Sequence, residues 1–185
     1  MSDIRFVEPA PTIQLHLPDG RTLEGPRGAT AETLLQPIAG TLPAALVGVL
    51  VNGELHDLTF PIELEARIRP VTLGEADGAR IYRRSLTFLL QTAFTRLYPQ
   101  AALTIDHSLA SGGYFCNVSG RDPLLPEELA RLENEMRQLV ALDLPFERLL
   151  VSVTEAIAIF EKQNQPDKAR LMRYRRKPTI TLYRL

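Results

Sequence analysis

From Ile13 onward the chain alternates. Ile13, Leu15 and Leu17 are apolar while Gln14 and His16 are polar, the period-two pattern of a strand with one buried face. Pro18-Asp19-Gly20 supplies a turn, proline presetting one φ and glycine accepting a positive one, and residues 21–24 return as the second strand of a hairpin. The period then lengthens. Thr30 is an N-cap for a helix carrying Leu34, Leu35 and Ile38 and closed by Gly40. Residues 46–51 read as a continuous apolar strand, Asn52-Gly53 as a tight hairpin turn, and residues 68–72 as a last strand.

A long helix follows, with Tyr82, Leu86, Leu89, Leu90, Ala93 and Leu97 at three- and four-residue intervals on one face. Asp77 and Gly78 mark its entry, and Pro99 forbids continuation past Tyr98. Residues 103–107 alternate as a strand, Gly112-Gly113 breaks it, and residues 114–118 read as its hairpin partner. The next helix starts at Pro126, turns Leu129, Leu132, Met136, Leu139 and Val140 inward, and pairs Glu128 with Arg131 and Glu133 with Arg137 outside. Leu149, Val151 and Val153 form a strand, and Ser152 with Glu155 caps a helix through Phe160. Gln165-Pro166 interrupts that helix, a short basic helix spans 168–174, and residues 178–185 are a final strand. A strand that runs into the chain end predicts that the sequence stops inside a larger protein. The predicted class is α+β: a β-grasp unit at 12–73, then an α+β domain at 76–185 that is cut short at its C-terminal end.

Composition narrows the function classes. Of 185 residues, 45% are hydrophobic and 23% charged, with a net charge of −1. No global attraction for nucleic acid or an anionic membrane follows, so an RNA partner needs a local patch. The apolar stretch at 42–51 is too short to span a bilayer, and the acidic start lacks signal-peptide character. A lone cysteine, Cys116, excludes an internal disulfide and suits a reducing compartment. A cytoplasmic location is expected, with no membrane partner.

Leu17-Pro18-Asp19-Gly20, Val51-Asn52-Gly53-Glu54-Leu55-His56-Asp57-Leu58 and Arg69-Pro70-Val71-Thr72 resemble the TGS domain, the ubiquitin-like module of threonyl-tRNA synthetases, some GTPases and stringent-response enzymes. The element order after residue 76 resembles the second domain of threonyl-tRNA synthetases, shared with alanyl editing domains. Arg83 to Leu90 aligns with that family's R-H-S-x-x-H-L-L, whose two histidines converge from one helix face to hold a metal or the mischarged adenosine end. Here those positions are Arg84 and Phe88. A guanidinium has no lone pair to donate and a phenyl ring offers none, so the resemblance implies an editing metal site that has been lost. The expectation is no metal and no catalytic residue of the editing kind.

Tyr82 to Leu90, Ile105 to Leu109, Asp143 to Ser152 and Asp167 to Leu185 also resemble the N-terminal region of a bacterial uridine kinase-like family, in which such domains precede a P-loop kinase related to uridine kinase and phosphoribulokinase. That resemblance implies a non-catalytic ligand-binding or regulatory module, partnered by a missing kinase domain that would bind ATP and magnesium. The G-x-x-x-x-G-K-[ST] loop is absent from these residues. On this reading Arg84, Phe88, Asp106, His107, Ser108 and Cys116 line a pocket for a nucleotide-like or anionic ligand. Arg84 would grip phosphate, and Phe88 would stack on a base.

The alternative is a metal-independent hydrolase of aminoacyl-tRNA or a related ester, or an RNA-binding domain. His107 and Cys116 are the candidate nucleophile pair for hydrolysis. Asp106-His107-Ser108 has the letters of a triad, yet consecutive strand residues face opposite sides. Arg170, Arg173, Tyr174, Arg175, Arg176 and Lys177 offer phosphate contacts with an aromatic among them, against which stands an ordinary solvated helix end.

Overall fold

The computed structural model describes residues 8–110, 112–163 and 165–185. Two compact units divide the chain, one up to Thr87 and one from Phe88. Their border lies inside a single helix.

Five strands build the first unit's sheet: β1 (Thr12–His16), β2 (Thr22–Pro26), β3 (Leu46–Val51), β4 (Glu54–His56) and β5 (Ala66–Thr72). Their order is β2-β1-β5-β3-β4. Hairpins join β1 to β2 and β3 to β4, both antiparallel, while β5 enters the centre parallel to β1 and antiparallel to β3. Alternation decides the faces: Ile13, Leu15, Leu17, Ala66 and Ile68 are buried, and the residues between them are not. Helix α1 (Ala31–Ala39) lies on the buried face through Leu34, Leu35 and Ile38. The Thr33 amide donates to Thr30 Oγ1 at 3.3 Å, which satisfies one of the orphan donors of its first turn. Gly40 ends it in a right-handed conformation, φ −70°, so the expected left-handed cap is not used. This is a β-grasp sheet on one helix. Strand β5 starts two residues earlier than expected because its first residues pair with β1 rather than with a sequence neighbour.

Helix α2 (Ala76–Leu97) begins inside the first unit, so Gly78 falls within its first turn rather than before it. Leu89, Ala93 and Phe94 are buried, but Tyr82 and Leu86, expected on the same inward stripe, are exposed.

The second unit adds hairpin β6 (Ala102–Ser108)–β7 (Tyr114–Ser119), helix α3 (Pro126–Ala141), strand β8 (Glu147–Ser152), helices α4 (Val153–Lys162) and α5 (Pro166–Met172), and strand β9 (Thr179–Arg184), antiparallel to β8. Its largest buried cluster joins Leu89, Ala93 and Phe94 to Leu132 and Leu139, with Leu103, Val118 and Leu185 packed against it. Leu129 and Val140, expected inward, stand 52% and 65% exposed, since only the Leu132–Leu139 stripe of α3 meets the cluster. The Glu155 amide donates to Ser152 Oγ at 3.1 Å, as the capping pattern predicts.

One polar junction departs from the expected helix-surface pairing. Glu128 does not serve Arg131 as its hydrogen-bonding partner; it binds Arg121 Nη2 through both oxygens at 2.7 Å and accepts from the Leu125 amide at 3.0 Å. The guanidinium also lies 4.3 Å from the Tyr98 ring centroid. The junction ties the end of β7, the start of α3 and the end of α2 together. Arg121 first, and the Leu125 amide second, hold the Glu128 carboxyl below the ordinary carboxylate range. A depressed folded pKa adds stability above the unfolded value and loses it as pH falls through the folded one. The stability difference between the parent chain and Glu128→Gln is therefore expected to be largest at neutral pH and to shrink steadily in acid. Urea midpoints of both proteins across that range check it, and a difference that grows in acid contradicts the junction.

Among the described residues, no helix is long and apolar enough to cross a membrane.

Candidate nucleic-acid interface

Helix α5 is only seven residues long. Pro166 opens it, Ala169 and Met172 anchor it in the second unit, and the chain then turns through residues 173–178 into β9. That turn is where the cations collect. Arg170 and Arg173 are already neutralised, by Asp167 at 3.0 Å and Glu161 at 3.1 Å. The side chains of Arg175, Arg176 and Lys177 make no hydrogen bond or ion pair among the described residues. Tyr174 sits beside them 80% exposed, the most solvent-accessible of the exposed large apolar side chains. Lys168 differs in character: desolvation lowers its pKa, and its ammonium lies 5.8 Å from the Phe160 ring centroid. Three free cations and one bare aromatic ring in four consecutive positions match phosphate contact plus base stacking.

The residues expected to share a pocket lie on α2 and on the β6–β7 hairpin. Arg84 is an exposed residue of α2 with no side-chain partner among the described residues. Phe88, one turn later, packs its ring on Phe146, centroids 5.6 Å apart, so an internal contact uses one side of it. On β6 a register shift between Ile105 and His107 makes Asp106 the extra residue of a bulge. The bulge leaves Asp106, His107 and Ser108 all exposed. His107 Nδ1 approaches Asp106 Oδ2 at 3.4 Å, and its ring stacks on Phe115, its register partner, at 5.3 Å. Cys116 pairs in register with Ile105 instead, and its thiol lies 3.9 Å from the Tyr114 carbonyl. Adjacent strand residues face opposite sides, so His107 and Cys116 do not form a nucleophile–base pair. Among the described residues, no three His, Cys, Asp or Glu side chains are grouped to hold a metal ion.

The first unit holds a groove that local sequence spacing did not reveal. It is an open concavity of about 760 Å³ lined by His16, Asn52, Gly53, Glu65, Ala66 and Arg67. His16 Nε2 lies 2.7 Å from Glu65 Oε1, and its Nδ1 lies 3.3 Å from Thr22 Oγ1. Glu65 is 49 residues away in the chain, so only the parallel pairing of β1 and β5 brings it there. The charged groups alternating on either side of Ala66 were the signal available in the sequence.

Residues 13–72 match the family model of the TGS domain. The chain is 31% identical over 161 residues to a threonine–tRNA ligase of Acetivibrio thermocellus, covering 87% of this chain and 25% of that protein. Against the threonine–tRNA ligase of Acidithiobacillus ferrooxidans it is 35% identical over 175 residues, 94% of this chain and 27% of the relative. Against that of Thermotoga petrophila it is 33% identical over 174 residues, 93% and 26%. The chain thus spans about a quarter of the length of these curated relatives. It contains a TGS domain of the β-grasp type and is homologous to the N-terminal region of threonyl-tRNA synthetases.

These relatives correct the expectation of a uridine kinase-like parent, both as a kinase regulatory module and as the partner of a P-loop domain. The similarity that covers nearly the whole chain is to tRNA ligases. The segments that suggested a kinase relative lie in α2, β6, β8 and the α5–β9 region. None of these segments contains the phosphate-cradling G-x-x-x-x-G-K-[ST] loop.

Proposed function

We propose that this chain is an RNA-binding module related to threonyl-tRNA synthetase, acting in the cytoplasm, which holds an RNA backbone through residues 173–177 without hydrolysing an ester. The carrying observation is the trio Arg175, Arg176 and Lys177, unpaired among the described residues, beside the exposed Tyr174. The relatives are named threonine–tRNA ligases, which makes tRNA the first RNA to try. A hydrolytic role has less support, because His107 faces Phe115 and Asp106 rather than Cys116.

With an overall charge of −1, attraction to RNA has to come from that local patch and should be steeply salt-dependent. Fluorescence anisotropy of labelled tRNA at several KCl concentrations measures this. Replacing Arg175, Arg176 and Lys177 together with alanine is expected to flatten the log–log salt slope by about 2–3, close to one unit per lost phosphate contact. Tyr174→Ala is expected to weaken binding by about 1–3 kcal/mol with the slope unchanged, as loss of one stacked base requires. A triple variant with the parent's slope and affinity rejects this surface.

A further inference from the structure

We propose that Asn52 is the deamidation site of this chain and that the folded hairpin holds it closed. Four asparagines occur in the sequence, and only Asn52 precedes a glycine; Asn117, Asn134 and Asn164 precede Val, Glu and Gln. Attack on a side-chain carboxamide comes from the amide nitrogen of the next residue, and glycine hinders that approach least because it has no Cβ.

The fold opposes the reaction in two ways. Asn52 and Gly53 form the two-residue turn between β3 and β4, with φ of 51° and 88°, and Val51 pairs directly with Glu54. The Asn52 amide also donates to the Arg67 carbonyl at 2.8 Å, while Asn52 Oδ1 accepts from the Arg67 amide at 2.9 Å. That two-bond clamp on β5 fixes the carboxamide, which must turn toward the Gly53 nitrogen before it can react.

Once the clamp opens, the Gly53 nitrogen forms a bond to Asn52 Cγ and gives up its proton. The Cγ–Nδ2 bond breaks, and Nδ2 leaves as ammonia with that proton. Solvent water then opens the cyclic imide at either carbonyl, yielding aspartate or isoaspartate. Aspartate keeps an acceptor for the Arg67 amide but adds a carboxylate to the groove that already holds Glu65. Isoaspartate lengthens the backbone of a two-residue turn by one atom, so the Val51–Glu54 register and the clamp cannot both survive. The change is a one-way mark of chains that have lost this hairpin.

The test follows ammonia loss at each asparagine by peptide mapping of the full chain, native and in guanidinium at the same pH and temperature. Conversion at Asn52 is expected to be first in the unfolded chain and at least about ten-fold slower in the native one, the equivalent of two net hydrogen bonds. A smaller ratio, or earlier conversion at another asparagine in the unfolded chain, overturns the proposal. Asn52→Asp supplies the second readout. It is expected to melt close to the parent, whereas purified isoaspartyl chain melts lower; equal melting of the two overturns the role assigned to the clamp.

Discussion

Phe94→Ala is expected to collapse the thermal stability of the second unit while leaving the first largely intact. Among the described residues, the largest fully buried side chains are Phe94, Leu15, Leu35, Ile62, Ile68, Val49 and Val71. Five of these belong to the β-grasp core cluster and Val71 lies on β5, so Phe94 is the one large side chain of this group in the second unit. It is inaccessible to solvent, touches the Tyr98 ring with centroids 5.2 Å apart, and sits in the cluster with Leu89, Ala93, Leu132 and Leu139. Truncating a buried phenylalanine costs about 3–5 kcal/mol, because the lost transfer energy is joined by a cavity that neighbours fill only partly. At about 4–8 °C per kcal/mol for a unit of this size, the transition falls by well over 10 °C. Differential scanning calorimetry with Leu35→Ala alongside separates the units, since Leu35 is equally inaccessible but lies in the β-grasp core. Phe94→Ala melting within a few degrees of the parent contradicts this account of the core.

Gly78→Ala carries the second large effect, and its sign runs against helix propensity. Alanine in place of a helical glycine ordinarily gains up to about 1 kcal/mol. Gly78 is buried in the first turn of α2, and a Cβ there would sit 2.0 Å from the Thr72 carbonyl oxygen and 2.7 Å from its carbon. Both are backbone atoms of the end of β5, so no rotamer change relieves the contact. The helix start and the strand end must separate, which also strains the bonds that the Thr72 amide and hydroxyl donate to Glu75 Oε1, at 3.0 Å and 3.2 Å. Overpacking of this kind costs about 1–3 kcal/mol or more. Urea unfolding is expected to show destabilisation of the first unit, with Gly53→Ala as a comparison where no atom lies within 4 Å but φ is 88°. A stabilised Gly78→Ala chain refutes the close approach.

Much of the fold was legible because its signals are local. The alternation at Ile13, Leu15 and Leu17, the turn at Asp19-Gly20, the Asn52-Gly53 hairpin, the Thr30 and Ser152 caps and Pro126 at a helix start each act within a few residues. Stripes proved harder. Phe94 lies four residues after Leu90 and belonged on the inward face, while Tyr82 and Leu86 fit the same period yet stay exposed. Periodicity says which residues share a helix face, but how far along the helix a neighbour covers that face is a property of the packing.

The candidate site divides in the same manner. Residue identity by itself determined that Arg84 and Phe88 cannot ligate a metal, since lone pairs are covalent properties that no fold changes. The run from Tyr174 to Lys177 was equally visible as a string of letters. Asp167 quenches Arg170 three residues along the same helix, a local pairing. Only the tertiary structure decided that Glu161 quenches Arg173 and that Arg175, Arg176 and Lys177 make no ion pair among the described residues. It likewise decided that a bulge at Asp106 turns His107 onto Phe115 and that Glu65 meets His16 across the parallel β1–β5 pair. Local rules act through neighbouring dihedrals, which the order of residues sets directly. Ion pairs between elements and sheet neighbours depend on which distant segments the burial of apolar surface brings together, and that choice belongs to the whole chain at once.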